Sequence, residues 1–274
     1  LINAISENEI TIFQDKENHS SIIESSRLSK TKLVRYKHLD YDDLEVKIKK
    51  IKSPTKIIFT DTVFSMTGEK ANLLKISSIA KRHKALLFID DAHGFGVLRE
   101  NEKKFPSCIN NLNLDKIKID AYVGTFGKAV GTFGAFICGS TELISLLIQK
   151  SKPYIYSTAL PPALVQTTLE SINMIMDDKK IVKNLHSNIT YFKKLIKIFK
   201  INMNNSDTPI QTMTIGNPKE VMDICKKAKK LNIFIQGIRY PTVPINRDLI
   251  RINLTSGHSK KQIQSLVEFL KSIK

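Results

Sequence analysis

The chain of 274 residues has no tryptophan and three cysteines, Cys108, Cys138 and Cys225. An odd number set far apart fits neither a disulfide framework nor a Cys-x-x-Cys metal site, and the expectation is a reducing, cytoplasmic setting. No run of about 18 apolar residues occurs, so no membrane span is expected. The opening LINAISENEI lacks the basic start and apolar core of a signal peptide. Low-complexity linkers and tandem repeats are absent too. What remains is 42% hydrophobic and 25% charged, an ordinary make-up for a globular protein.

Acidic residues are scarce. The net charge is +17, and residues 177–274 hold 19 Lys/Arg against 7 Asp/Glu. A basic half is one footprint of nucleic-acid binding. These lysines, however, fall on the polar faces of helical patterns, as in YFKKLIKIFK and CKKAKKLN, without interleaved aromatics. They read as solvated helix faces, and no nucleic-acid partner is expected.

Short apolar, β-branched runs cover 9–15, 32–38, 55–61, 85–91, 120–126 and 134–140, with helical patterns between most of them. Strands apolar along their whole length and separated by helices are expected to be parallel and buried on both faces. That is an α/β domain, placed at 1–176. After YSTALPPA a long helical region reaches about Phe199. A strand (PIQTMTIG), a helix at 218–231, strands near 233–238 and 250–254 and a last helix at 259–273 follow. This reads as a smaller α+β domain at 177–274. LINAIS looks like the end of a helix already under way.

Several strands end in polar residues: Asp15, His38, Asp61, Asp90–Asp91 and Thr125. In open parallel sheets, ligands bind at those carboxyl ends. His93 follows Asp90 by three residues, on the loop leaving the sheet. A lone Asp-Asp is equally the material of a turn or an ion pair. No further His, Cys or Glu stands at ligand spacing, so no metal site is expected. Gly94 and Gly96 make no dinucleotide fingerprint, and GTFGKAVG lacks the spacing of a P-loop. Between Ala121 and Thr141 the one charged side chain is Lys128, in VGTFGKAVGTFG. A lysine among apolar groups loses hydration, which favours the neutral amine that Schiff-base chemistry requires. The glycines admit close approach of a flat ligand, and Thr125 offers a hydroxyl to a phosphate.

Four motifs in order, VFSMTGEKANL, FIDDAHGFGVL, TFGKAVGTFGAF and IRYPTVPINRDLIRINLTSGHS, resemble the α-oxoamine synthases over essentially the whole chain. These are pyridoxal-phosphate enzymes of the class II aminotransferase group, with transferase fold type I: a mostly parallel sheet sandwiched by helices, and a smaller C-terminal α+β domain. DDAHGFGVL with IRYPTVP is most similar to the biotin-pathway branch. The resemblance therefore implies condensation of L-alanine with a pimeloyl thioester and loss of CO2. Siblings that use glycine or serine share much of the pattern.

By the same resemblance, Lys128 is the Schiff-base lysine that moves the α-proton, and Asp90 pairs with the pyridine nitrogen. His93 and Ser65 neighbour the phenolic oxygen, and His19 stacks on the ring. Thr125 holds the phosphate, while Thr158 reaches the phosphate of a partner subunit in a homodimer. Arg251, beside Arg239, grips the amino-acid carboxylate. The family's pattern usually starts upstream of Leu1, with a glycine-rich turn, acyl contacts and part of the subunit interface. The expectation is a piece of a longer protein or a truncated gene, folding poorly and with impaired activity if the chain stands alone. Asp61 stands where a glutamate is commoner, Ser20 replaces an alanine, and residues 99–118 read as an altered surface loop.

Overall fold

The computed structural model describes residues 1–6, 9–29, 31–98, 106–111 and 117–273. In it the apolar runs become β1 (Ile10–Asp15), β2 (Lys32–Tyr36), β3 (Thr55–Asp61), β4 (Leu86–Asp90), β5 (Ala121–Thr125) and β6 (Ala135–Gly139). They pair in the order β2-β1-β3-β4-β5-β6. The first five are parallel, but β6 runs antiparallel to β5, with Thr125 opposite Ala135. This is the mostly parallel sheet that was expected, with one strand reversed. No helix separates 121–125 from 135–139, and only a helical crossover returns the chain in the parallel sense. Ile12, Phe13, Ile58, Leu87 and Ile89 are wholly enclosed, and each such side chain stabilises the fold by roughly 1.5–3 kcal/mol.

Helices α1 (Ile2–Ile5), α2 (Ser20–Leu28), α3 (Tyr41–Lys50), α4 (Leu73–Arg82), α5 (Thr141–Lys150), α6 (Lys152–Ile155) and α7 (Pro162–Asp177) complete a first compact unit, 1–64 with 70–177. Their ends are written in the sequence. Asp40 caps α3 by accepting from the Asp43 N–H, Asp42 and Asp43 occupy the first turn, and lysines fill the last, complementing the helix dipole. Asn72 caps α4 in the same way.

The second unit is 65–69 with 178–274. It holds α8 (Lys179–Ile198), β7 (Ile210–Thr214), α9 (Pro218–Lys230), β8 (Gln236–Ile238), β9 (Leu249–Asn253) and α10 (Lys260–Ser272). Its sheet is antiparallel, in the order β7-β9-β8. The helical region expected to run unbroken to Phe199 is two helices, because the Asp178 side chain takes the Lys180 N–H and starts α8 afresh. Segment 65–69 joins this unit through the Gly68 carbonyl, which accepts from Ser206 Oγ at 3.0 Å and Thr208 Oγ1 at 3.1 Å. The loop expected over 99–118 lies largely outside the described residues. Among the described residues, no helix is long and apolar enough to cross a membrane.

Candidate functional site

The adjacent aspartates at the end of β4 are separated by the pleat of the sheet. Successive residues of a strand face opposite ways, so Asp90, level with Asp61 on β3 and Val123 on β5, shares a face with them. Asp91 turns to the other face, is fully enclosed, and is spent on structure. Its Oδ1 accepts from Thr62 Oγ1, and its Oδ2 accepts from Tyr122 Oη at 2.7 Å and from the Cys108 N–H at 3.0 Å. Burial raises its carboxyl above the usual range while these donors pull it back. Gly94 is required beside it, because a Cβ there would stand 2.1 Å from Asp91 Oδ1.

Asp90 accepts from the Ala92 N–H at 2.9 Å. Burial pushes its carboxyl upward, opposed by that N–H and then by the charges of Lys128 and His19. His93 follows on a turn closed by the Gly94 and Phe95 N–H groups donating to the Asp91 carbonyl, at 2.9 and 2.7 Å, and is half-buried.

The VGTFGKAVGTFG run is the hairpin between β5 and β6. Phe126 N–H donates to the Gly134 carbonyl and Thr132 N–H to the Phe126 carbonyl, both at 2.9 Å. Phe126 and Phe95 both pack against Phe136, at 5.1 and 4.9 Å between ring centres, so the hairpin and the His93 turn share one aromatic floor. A Cβ on Gly124 would lie 2.4 Å from the Phe136 ring. The far side is tied to α7 by Ser171 Oγ donating to the Val130 carbonyl at 2.6 Å. Lys128 rides at the tip and is exposed, correcting the expectation of a lysine desolvated by its apolar neighbours. Those residues serve the hairpin's own packing or, like Phe133, face solvent. Lys128 nonetheless acts electrostatically on both Asp90 and Asp61.

Of the remaining expected residues, Thr125 ends β5 with its hydroxyl oxygen buried and without a hydrogen-bond partner among the described residues. His19 heads α2, where its Nδ1 accepts the Ser21 N–H at 3.2 Å. Thr158 is exposed in the extended stretch between α6 and α7. Ser65 and Arg251 belong to the second unit, where Arg251 Nε donates to the Ser65 carbonyl at 2.9 Å and Nη1 to Gln236 Oε1 at 3.4 Å. In the first unit, then, His19, Asp90 and Lys128 converge at the carboxyl ends of the strands, with a spare hydroxyl at Thr125. One member of this cluster was not singled out as a site residue. Asp61 is buried beside Asp90, and burial together with the Asp90 charge raises its carboxyl well above the usual range. Its signal was a strand-end carboxylate in register with Asp90.

The family model for aminotransferase class I and II matches residues 1–270. The chain belongs to that family. It is 36% identical, over all of its length and 69% of the relative's, to an 8-amino-7-oxononanoate synthase of Thermoanaerobacter pseudethanolicus. The enzyme of that name from Saccharophagus degradans is 37% identical over 96% of this chain and 65% of its own. The chain thus spans about two thirds of the length of these curated relatives. Among solved structures, an 8-amino-7-oxononanoate synthase from Francisella tularensis superposes with a TM-score of 0.84 at 30% identity, covering 99% of this chain and 78% of that one. A serine palmitoyltransferase of Sphingomonas wittichii gives 0.92 at 23%, covering 99% and 68%. The six-stranded, mostly parallel sheet flanked by helices is that of the pyridoxal-phosphate transferases of fold type I.

Proposed function

We propose that the protein acts as a pyridoxal-phosphate-dependent C-acyltransferase, joining L-alanine to a pimeloyl thioester with loss of CO2 to give 8-amino-7-oxononanoate. The observation that carries this reading is the grouping of a half-buried strand-end carboxyl, Asp90, with the Lys128 ammonium and an unsatisfied buried hydroxyl, Thr125. These are the groups a phosphorylated pyridine aldehyde needs: a counter-charge for its ring nitrogen, an amine for its aldehyde and a donor for its phosphate. The names of the relatives support the substrate pair.

Pyridoxal phosphate, when bound, supplies the electron sink that stabilises negative charge at the amino acid's Cα. Asp90 would hold a proton at the ring nitrogen. Burial works against the charge of Asp90, and a cation against it would favour that charge. Lys128, on an accessible hairpin tip, takes the proton from alanine Cα, a positioned-base contribution of roughly 10²–10⁴-fold. A bond then forms between that carbon and the thioester carbonyl carbon as the thiolate leaves and takes a proton from solvent; the alanine carboxylate departs as CO2, and Cα takes back a proton from Lys128 in its place. Arg251 grips that carboxylate until it leaves, and a guanidinium fork suits two oxygens. His93 and Ser65 serve the phenolic oxygen, His19 offers a flat imidazole face, and Thr158 serves the phosphate of a second copy in a homodimer. In this reading residues 1–176 are the cofactor domain and 177–274 the smaller one.

The test is direct. Pyridoxal phosphate added to the purified protein should produce a visible absorption band and, after borohydride reduction, a mass increase on the Lys128 peptide. Lys128→Ala should abolish both without altering the far-ultraviolet circular dichroism. Band and mass increase surviving in Lys128→Ala would overturn the assignment. Assay of alanine, glycine and serine with pimeloyl and shorter thioesters then checks the substrates, and preference for glycine or serine would refute the alanine reading.

A further inference from the structure

His19 stands on a corner that is bolted to the neighbouring strand. Asn18 Nδ2 donates to the Phe59 carbonyl at 2.7 Å, and Asn18 Oδ1 accepts the Asp61 N–H at 3.1 Å. The third bolt is a side chain on the other element: the His19 backbone N–H donates to Asp61 Oδ2 at 2.6 Å. The imidazole is held as well. An amide N–H only donates, so the Ser21 N–H makes Nδ1 the acceptor and leaves the proton of the neutral ring on Nε2. Both ends of His19 are therefore located, the ring by α2 and the backbone by Asp61. Asp61 is at the same time level with Asp90 on the next strand and within the field of Lys128.

We propose that Asp61 is a positioning residue for His19: its carboxyl oxygen takes the N–H at the head of α2 and sets where the imidazole stands relative to Asp90 and Lys128. The inference rests on the cofactor reading for its consequence, because a ring face displaced by a fraction of an ångström loses contact with a flat ligand. It rests on the first unit alone for its geometry. Asp61 gains nothing as a fold anchor that a backbone acceptor would not supply more cheaply, since its burial beside a second carboxyl is unfavourable.

Two readouts separate the link from its consequence. In the apo protein, hydrogen exchange of the His19 amide should be slow in the wild type and in Asp61→Asn, which keeps the acceptor. It should be about tenfold faster in Asp61→Ala, as expected for loss of one hydrogen bond to a carboxyl. Pyridoxal phosphate affinity, read from the visible band, should follow the same order, nearly unchanged in Asp61→Asn and about tenfold weaker in Asp61→Ala. In a His19→Ala background the Asp61→Ala change should cost no further affinity, whereas a merely structural loss would add to that of His19→Ala. Fast exchange at His19 in the wild type would overturn the proposal. So would additive losses in the double variant, or an Asp61→Asn protein as weak as Asp61→Ala. A protected His19 amide in a protein that shows no band would refute the cofactor reading while leaving the Asp61–His19 link standing.

Discussion

Replacing Asp91 with alanine should cost far more stability than replacing Asp90, although the two are neighbours in sequence and identical in chemistry. Among the donors that Asp91 serves are three buried ones: the Thr62 hydroxyl, the Tyr122 hydroxyl and the Cys108 N–H. Each donor left unsatisfied costs about 1–3 kcal/mol. The three share one carboxyl, so their losses overlap, and removing a carboxyl that is itself raised by burial returns part of the sum. The net expectation is a loss of about 3 kcal/mol, against a total stability of roughly 5–15 kcal/mol for a domain. Asp91→Asn keeps one oxygen but turns an NH2 toward a donor, and should lose about half as much. Asp90→Ala gives up one hydrogen bond from Ala92 and relieves a buried carboxyl, so it should stay within about 1 kcal/mol of the wild type. Its pyridoxal phosphate band should nevertheless vanish or shift. Urea denaturation of the three apo variants, with cofactor titration of those that remain folded, makes the comparison. The reasoning is refuted if Asp91→Ala is as stable as the wild type, or if Asp90→Ala loses as much as Asp91→Ala.

Thr125→Val replaces an orphaned hydroxyl by a methyl of similar shape; it should leave urea stability unchanged or up to about 1 kcal/mol higher while weakening pyridoxal phosphate binding, and a clear loss of stability would contradict the orphan assignment. For Asp61, burial first and the Asp90 charge second raise the folded carboxyl well above its ordinary 3.8, with Asp15 adding to the rise and Lys128 and the His19 N–H opposing it. A raised carboxyl contributes stability that is present below 3.8 and lost as pH climbs through the folded value. The apo Asp61→Asn variant should therefore gain on the wild type in urea midpoint as pH rises from acid to mildly alkaline, and a constant difference would refute it. Gly68 has φ +75° and a Cβ there would meet the Ile210 carbonyl oxygen at 2.5 Å, so Gly68→Ala should cost at least about 2 kcal/mol by urea denaturation. An unchanged midpoint would show that segment 65–69 is not held by the second unit's β7.

The strands of the first unit were legible because they depend on a local signal, apolar runs of strand length. The candidate site drew on spacing along single segments, as in Asp90 with His93 and the lone Lys128, and on the resemblance for the roles of those residues. What the sequence could not carry was the meeting of segments far apart in the chain. The membership of 65–69 in the second unit follows from pairings with Ser206 and Thr208 that no local pattern encodes. Asp90 and Asp91 are the sharpest case. Composition makes them equivalent, and only the pleat of a sheet built from β3, β4 and β5 turns one toward Lys128 and the other into a core of waiting donors. Asp61 and His19, 42 positions apart, likewise became partners where the corner before α2 packs on the end of β3, because a side chain's function depends on which neighbours the packed chain brings within hydrogen-bond reach.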